Sequence, residues 1–249
     1  MNILKQKTAI ITGAAQGIGK AIAMRFSKEG AVVVLLDTNK KKLDLTLSEI
    51  GSNAYGFQVD ITNEKDVGKI INNVENSYGV IDILVNNAAS TSKKEKITKI
   101  SLKEWEKVLG VNINGTFIVT KSVLPGMISN GSGIIINIAS QLGSVATRNS
   151  SPYCTSKGAI IQFTKALALD HALDGIRVNS LSPGAVLTQR LIDIYGSEEK
   201  VNDHLLSKHP IGRIANTSEI AAAAVFLASP ESSFVTGSDL LVDGGYLCQ

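Results

Sequence analysis

The chain is poor in the residues that build metal centres and disulfide frameworks. Its 249 residues include three histidines and two cysteines, Cys154 and Cys248, which form no Cys-x-x-Cys pair. No spacing typical of a metal-ligand set occurs, so we predict no metal site. No apolar run approaches the roughly 20 residues that cross a bilayer, and the N-terminus lacks the charged-then-apolar pattern of a secretion signal. These absences predict a soluble, cytoplasmic protein with no membrane partner.

A strong charge of either sign is also lacking. Twenty-five basic and 22 acidic residues give a formal net charge of +3, which is too small and too dispersed to indicate a nucleic-acid partner. The basic runs at residues 40–42 and 93–96 are short, and solvated surface is the simpler interpretation of each.

A glycine-rich turn follows the first apolar segment. Residues 8–12 are followed by Gly13-Ala14-Ala15-Gln16-Gly17-Ile18-Gly19, and a helical pattern then continues to Gly30. Such a turn lets the backbone approach a pyrophosphate, and the helix N-terminus offers free N–H groups and a positive dipole end. Glycines also end strands for conformational reasons alone, but this position favours a nucleotide site.

A carboxylate ends the second apolar segment, residues 31–36, at Asp37. In that place it can accept hydrogen bonds from an adenosine ribose diol and repel a 2′-phosphate, which favours NAD over NADP. Gln16 stands where a basic residue would hold that phosphate. Two alternatives stay open: Asp37 can be a polar cap of the strand, and the lysines at 40–42 can favour NADP.

Apolar segments alternate with helical patterns along the whole chain. The strand-like segments are residues 8–12, 31–36, 54–59, 81–85, 133–139, 176–181 and 237–242. This alternation predicts one α/β domain over residues 1–249, a Rossmann-like, doubly wound parallel sheet of about seven strands with helices on both faces. The residues at the predicted carboxyl ends, where such sheets bind ligands, are Gly13, Asp37, Asp60, Asn87, Ser140 and Pro183.

Three further segments matter for the predicted site. A capping box at residues 101–104 starts a helix that we expect to continue past Asn112 to about Met127, with Asn112 either a structural tie or a water holder. Asp60 can bind the adenine amino group or cap the following helix. Residues 187–212 are predicted to be a partly helical flap over the site.

Tyr153 and Lys157 are four residues apart, so on a helix they share one face. A cation beside a phenol favours the phenolate and lowers its pKa from about 10. Tyr153 can then accept or donate a proton. Tyr and Lys also occur at this spacing by chance, so the pair depends on the rest of the chain for its meaning.

In this order and spacing, the motifs resemble the short-chain dehydrogenase/reductase family over nearly the whole chain. The matching pieces are the glycine motif from Thr12 to Gly19, Asn86-Asn87-Ala88, Asn112, Ser140, Tyr153-x-x-x-Lys157, Pro183-Gly184 and Asp243-Gly244-Gly245. Ala89 departs from the family's usual glycine, and we expect a mild effect on the cofactor channel.

The resemblance implies a role for each of these residues. Tyr153 would be the general acid/base, Lys157 would lower its pKa, Ser140 would bind the reacting oxygen, and Asn112 would hold a water in a proton relay. The implied cofactor-binding residues are Gly13, Gln16, Gly17, Ile18, Gly19, Asp37, Asp60, Ile61, Asn87, Ala88, Tyr153, Lys157, Pro183, Gly184, Val186 and Thr188. The resemblance also implies a homotetramer.

The predicted function is hydride transfer between NAD and a secondary alcohol, such as a sugar, polyol or cyclic diol, or its ketone. The alternatives are an NADPH-dependent 3-oxoacyl-type reductase and a non-catalytic NAD sensor. Gln141 and Arg148 are the candidate substrate contacts, although Arg148 can equally be an exposed loop arginine.

Overall fold

The computed structural model describes residues 2–249. The strands are β1 (Thr8–Thr12), β2 (Val32–Asp37), β3 (Ala54–Gln58), β4 (Ile83–Asn86), β5 (Gly133–Ile138), β6 (Ile176–Pro183) and β7 (Asp239–Val242). The α-helices are α1 (Gly17–Lys28), α2 (Lys40–Ile50), α3 (Glu64–Tyr78), α4 (Leu102–Leu109), α5 (Thr116–Asn130), α6 (Ser151–His171), α7 (Gln189–Tyr195), α8 (Glu198–Leu205) and α9 (Thr217–Ala228).

All seven strands join one parallel sheet in the order β3-β2-β1-β4-β5-β6-β7. The predicted doubly wound α/β fold is therefore confirmed. The chain builds outward from β1 to β3 and then returns to place β4 on the other side of β1. This reversal opens a crevice at the carboxyl ends of β1 and β4, which is where such sheets bind ligands.

Alternation of side chains along the strands divides the core into two layers. Ala9 and Ile11 of β1 face one apolar cluster, to which α1, α2 and α9 contribute. Ile10, between them, faces the other cluster, to which α3, α5 and α6 contribute. Because both faces are covered by helices, the strands are continuous apolar runs rather than alternating ones.

Several element bounds differ from the sequence prediction. β6 continues to Pro183 instead of ending at residue 181, since a proline at the end of a strand costs little pairing. The helix predicted from residue 101 to 127 is divided by a π-helical segment, Gly110–Gly115, which contains Asn112. Asp60 does not cap α3, because the Asn63 side chain accepts the capping hydrogen bond from the Asp66 N–H.

The segment over residues 187–212 contains the short helices α7 and α8. Its base is closed by a bridge between Val186 and Ala215. At its far end the buried His209 accepts a hydrogen bond from the Ala185 N–H through Nε2 (3.0 Å) and donates one to the Leu205 carbonyl through Nδ1 (2.8 Å). Both contacts are with residues that directly follow β6, so the segment is attached to the chain beside the end of that strand. None of the helices in residues 2–249 combines the length and apolar character that crossing a bilayer requires.

Candidate active site

Side-chain hydrogen bonds join the ends of β1 and β4 beneath the crevice. Asn87 Nδ2 donates to the carbonyl oxygens of Thr12 and Gly13, both at 2.9 Å. In return Thr12 Oγ1 accepts from the backbone N–H groups of Asn87 (2.9 Å) and Ala88 (3.0 Å). The floor of the crevice is therefore held in place by residues of the chain itself.

The glycines of the turn are required by this close approach. Gly13 has φ +63°, and a Cβ there would lie 2.8 Å from the Ala88 Cα. Gly17 has φ +59° and faces Thr188. Gly19 lies buried beneath the turn, where a Cβ would come within 2.4 Å of the Gly13 carbonyl oxygen. Packing alone thus demands glycine at two of these positions, and left-handed backbone favours it at Gly17.

The N-terminus of α1 points into the crevice with its N–H groups available. The preceding residue, Gln16, makes no capping hydrogen bond, and the first turn of α1 contains no acidic side chain. Backbone N–H groups and the helix dipole at such an end favour an anion. This part of the site fits the diphosphate of a dinucleotide.

Asp37 is held by the backbone on either side of it. Oδ2 accepts from the Ala15 N–H at 3.0 Å, and Oδ1 accepts from the Asn39 N–H at 2.9 Å. Each oxygen keeps a free lone pair, so the carboxylate can still accept hydrogen bonds from a ribose diol. Asp60 is held similarly, because its Oδ1 accepts from both the N–H (2.9 Å) and the hydroxyl (2.8 Å) of Thr62.

Two of the three lysines that opposed the NAD prediction, Lys40 and Lys42, have side-chain partners. Lys40 pairs with Asp44 on the surface of α2. Lys42 Nζ donates to Gln16 Oε1 at 2.5 Å, so this ammonium lies at the edge of the crevice.

Two connected cavities occupy the crevice. One, of about 390 Å³, is bordered by the glycine turn, Asp37, Asp60 and Ile61. The other, of about 540 Å³, is bordered by Ser140, Tyr153, Lys157 and the segment after β6. The residues that border both are Ile18, Asn87, Ala89, Thr188 and Arg190. An elongated ligand of dinucleotide size can therefore extend from Asp37 to Tyr153.

Most predicted cofactor residues border one cavity or the other. Those at the first are Gly13, Gln16, Gly17, Ile18, Asp37, Asp60, Ile61, Asn87, Ala88 and Thr188. Those at the second include Tyr153, Lys157, Pro183, Gly184 and Val186. Gly19 borders neither cavity and supports the turn from below.

Helix α6 places Tyr153 and Lys157 on the same side, as their spacing predicted. The Lys157 Nζ lies 5.7 Å from the centroid of the Tyr153 ring and donates to the Ile138 carbonyl at 2.6 Å. Lys157 is almost fully buried, and burial, with a smaller contribution from the Arg190 charge, lowers its pKa to about 7. The ammonium is therefore easily deprotonated near neutral pH.

The Tyr153 pKa lies above its ordinary value in this structure, whereas the spacing of Tyr153 and Lys157 predicted a lower one. Burial raises the pKa of the phenol, and the Arg190 charge and a hydrogen bond with Ser140 only partly oppose the rise. Lys157 does not help to lower the pKa of Tyr153 here. Its ammonium donates to the Ile138 carbonyl, and burial lowers the pKa of Lys157 itself. Arg190 is the residue that sequence reasoning missed. It follows Pro183-Gly184 within a polar stretch, and only its place soon after a strand end could have indicated it.

Asn112 is a structural tie in this structure. Its Oδ1 accepts from the Ser90 N–H at 2.7 Å, and its Nδ2 donates to the Ser90 carbonyl (3.1 Å) and the Ser156 hydroxyl (2.8 Å). Both amide hydrogens are thus used to join the π-helical segment to the loop after β4 and to α6. This arrangement does not test the predicted water relay.

The two predicted substrate residues are placed differently. Gln141 is buried in the cavity wall beside Ser140, and its Oε1 has no hydrogen-bond partner within the described chain. Arg148 is exposed and borders neither cavity, so the loop-arginine alternative describes its position. In residues 2–249, no group of three His, Cys, Asp or Glu side chains is placed to hold a metal ion.

Known proteins resemble this chain over almost its whole length. The profile of a family described as enoyl-(acyl carrier protein) reductase matches residues 13–247. The chain is 37% identical to an NAD-dependent glycerol dehydrogenase of Listeria innocua, over 98% of this chain and 94% of that protein. It is 36% identical to a meso-2,3-butanediol dehydrogenase of Serratia marcescens, over 96% and 94% of the two chains. It is also 36% identical to a 3-oxoacyl-[acyl-carrier-protein] reductase of Thermotoga maritima, over 97% and 98%.

Proposed function

The chain belongs to the short-chain dehydrogenase/reductase family of oxidoreductases, and from that premise we propose that it is an NAD-dependent dehydrogenase of secondary alcohols. The proposed substrates are polyols and diols, with reduction of the corresponding ketones as the reverse reaction. The observation that carries the proposal is the meeting of Ser140, Tyr153 and Lys157 at a cavity that opens into the crevice of the glycine turn. A nucleotide-binding protein without a reaction to perform would not need these three groups in that place.

In the proposed reaction the chain moves a proton and stabilises charge. When bound, the nicotinamide of NAD accepts or supplies the hydride. The Tyr153 phenol takes the proton of the substrate hydroxyl during oxidation and returns it during reduction. The Ser140 hydroxyl bonds the same substrate oxygen, on which charge develops in the transition state.

The raised pKa of Tyr153 bears on the direction of the reaction. Burial raises this pKa, so the phenol keeps its proton near neutral pH, as an acid toward a ketone must. Oxidation requires the phenolate. We propose that the Lys157 ammonium, 5.7 Å from the centroid of the Tyr153 ring, would supply the needed positive charge and would also donate a hydrogen bond to the ribose of a bound nicotinamide cofactor.

The preference for NAD is proposed from Asp37. Its carboxylate is fixed by the Ala15 and Asn39 N–H groups and borders the cavity, where it would accept a ribose diol and repel a 2′-phosphate. Lys42 is the opposing charge, but its ammonium is bonded to Gln16. The glycerol dehydrogenase relative is described as NAD-dependent, which supports the same choice.

The polyol or diol class is proposed from Gln141. Its buried amide oxygen lacks a donor in the described chain and lies in the cavity wall next to Ser140. A second hydroxyl on the substrate would supply that donor and remove the cost of a buried, unpaired acceptor. Relatives named for glycerol and 2,3-butanediol are consistent with such a substrate.

The proposal is tested by following NADH absorbance with a panel of polyols, diols and 3-oxoacyl substrates. Replacing Tyr153 by Phe should lower turnover by about a hundredfold to ten-thousandfold, because it removes general acid–base catalysis. NAD binding, measured by fluorescence, should stay within a few-fold of the original. Near-normal turnover in Tyr153→Phe would overturn the assignment, and tight NAD binding without any turnover would favour the sensor.

We also propose that the protein assembles as a homotetramer. Leu173 and Phe234 are fully exposed, at 102% and 103% of the reference area, and neighbouring copies would cover such side chains. Sedimentation that detects only monomers at micromolar concentration would contradict this proposal.

A further inference from the structure

The charged side chains around the substrate cavity are all of one sign. Among the described residues that border it, none is Asp or Glu. The chain as a whole has nearly balanced charge, with 25 basic and 22 acidic residues. The charged residues of the wall are Lys93, Lys94, Lys157, Arg190 and Lys208.

None of these five cations forms an ion pair with any residue from 2 to 249, but two of them have a close hydrogen-bond partner, which leaves three without one as close. Lys157 is bonded to the Ile138 carbonyl, and Lys94 donates to the Tyr195 hydroxyl at 2.7 Å. Arg190, Lys93 and Lys208 form no ion pair with any residue from 2 to 249. The side chains of Lys93 and Lys208 are exposed at the mouth.

Arg190 is the most informative of the three because it lies deepest. It is half-buried on α7, and its one hydrogen bond within the described chain goes to the Ala89 carbonyl at 3.3 Å. A guanidinium has five N–H donors, so most of its capacity is unused. Its charge acts on both Tyr153 and Lys157, which places it within electrostatic reach of the reacting groups.

A half-buried, unpaired guanidinium favours an anion, because charge-assisted hydrogen bonds strengthen where water is excluded. We propose that the substrate of this enzyme carries an anionic group, a carboxylate, sulfonate or phosphate, which Arg190 binds while Lys93 and Lys208 attract it to the mouth. This inference rests on the proposed dehydrogenase function and narrows its substrate to a hydroxylated acid. It is compatible with Gln141, which would bind a second hydroxyl of the same molecule.

Arg190 also borders the cofactor cavity, so the diphosphate of NAD is the competing anion. The two assignments predict different losses. If the substrate is the partner, Arg190→Gln raises KM for acids and leaves NAD affinity nearly unchanged. If the diphosphate is the partner, the same variant weakens NAD binding and affects charged and neutral substrates alike.

The test compares matched substrates with and without the charge. The pairs are 3-hydroxybutyrate and its methyl ester, 2-hydroxypropanesulfonate and 1,2-propanediol, and sorbitol 6-phosphate and sorbitol. At low ionic strength, at least one anion should exceed its neutral partner about tenfold or more in kcat/KM, and the pair that does so identifies the anionic group. Added salt should reduce this advantage. If kcat/KM is higher for the neutral substrate in all three pairs, the inference is overturned.

Variants locate the effect on the cavity wall. Arg190→Gln should raise KM for the preferred anion by about tenfold to a hundredfold and leave KM for its neutral partner nearly unchanged, whereas a change in kcat, caused by the lost charge near Tyr153 and Lys157, should be shared by both substrates. Arg190→Lys should reverse part of the rise in KM. Lys208→Gln should lower kcat/KM for the preferred anion a few-fold. Lys65→Gln, which removes an exposed charge from α3, should leave kcat/KM for that anion unchanged. An equal rise in KM for both substrates, or a larger loss in NAD affinity, would overturn the assignment of Arg190.

Equilibrium binding separates this inference from the proposed function. Butyrate, propanesulfonate, propyl phosphate and butanol, none of which has an oxidisable secondary alcohol, are titrated into the NAD-loaded protein and its Arg190→Gln variant. If an anion binds through Arg190 but no alcohol is oxidised, the dehydrogenase proposal fails and the anion site stands. If neutral alcohols are oxidised while no anion binds, the anion site fails and the dehydrogenase proposal stands.

Discussion

Replacing Lys157 by Met should make the cofactor-free protein more stable and, if Lys157 has the proposed role, inactive. Lys157 is almost fully buried, and burial lowers its pKa from 10.5 to about 7. At about 1.36 kcal/mol per pKa unit, this lowering corresponds to ~5 kcal/mol of destabilisation at and below about pH 7, and the penalty falls as the pH rises from there to 10.5. Met fills similar space without a charge.

Part of the stability that Lys157→Met gains is lost again, because the variant cannot donate the hydrogen bond that Lys157 makes. The Ile138 carbonyl, now at 2.6 Å from Nζ, would be left without this donor, which costs about 1–3 kcal/mol. The net stabilisation near pH 7 is therefore ~3 kcal/mol. For a chain of this length, that raises the Tm by about 6–12 °C.

The pH dependence of the gain identifies its cause. Between pH 7 and 10.5 the unfolded chain binds a proton at Lys157 that the folded chain has released, so the stability of the unmodified protein rises with pH. The advantage of Lys157→Met should shrink by about 1.4 kcal/mol per pH unit across this window. Other groups titrate in both proteins and cancel in the difference.

Chemical denaturation without cofactor at pH 7, 8 and 9, at one protein concentration, measures the effect. The control is Lys65→Met on α3, where the exposed lysine has no burial cost and the variant should match the unmodified protein at every pH. A Lys157→Met protein that is less stable at pH 7, or whose advantage does not change with pH, would refute the reasoning.

Two further substitutions test the cofactor half of the site. Asp37→Asn keeps the shape that accepts the Ala15 N–H but removes the negative charge. The ratio of kcat/KM for NAD to kcat/KM for NADP should therefore fall by one to two orders of magnitude, because the carboxylate and a 2′-phosphate at about 4 Å would repel each other by a few kcal/mol near a surface. An unchanged ratio would mean that Asp37 does not face the 2′ position. Gly13→Ala should lower the free energy of unfolding by about 2–4 kcal/mol, because its Cβ would lie 2.8 Å from the Ala88 Cα at φ +63°. Gly68→Ala in mid-helix, where nothing lies within 4 Å, should instead stabilise by about 0.5–1 kcal/mol, and denaturation that ranks the two variants otherwise would contradict the reasoning.

The fold could be predicted because its strands are buried on both faces. A segment such as residues 32–36 has no polar face, and such a run followed by a helical pattern leaves few arrangements other than a parallel sheet. Carboxyl ends of parallel strands share one edge, so Asp37, Asn87 and Ser140 could be assigned to one region before any contact was known.

What escaped prediction depends on distances across the fold. The π-helical segment Gly110–Gly115 has the apolar pattern of an ordinary helix, and it is Ser90 and Ser156, distant in sequence, that hold Asn112. Arg190 lies in a polar stretch whose pattern indicates only surface. The direction of the Tyr153 pKa shift depends on burial, which spacing within one helix cannot reveal.

The bonds between Asn87 and the end of β1 have a consequence for how substrates can diversify in this architecture. These bonds run between the end of β1 and the loop after β4, and no residue of the two short helices α7 and α8 takes part in them. Substitutions confined to α7 and α8 can therefore change which alcohol the enzyme accepts while the bonds between Asn87 and β1 stay in place. Relatives of nearly equal identity that bear the names of different alcohols match such modular divergence.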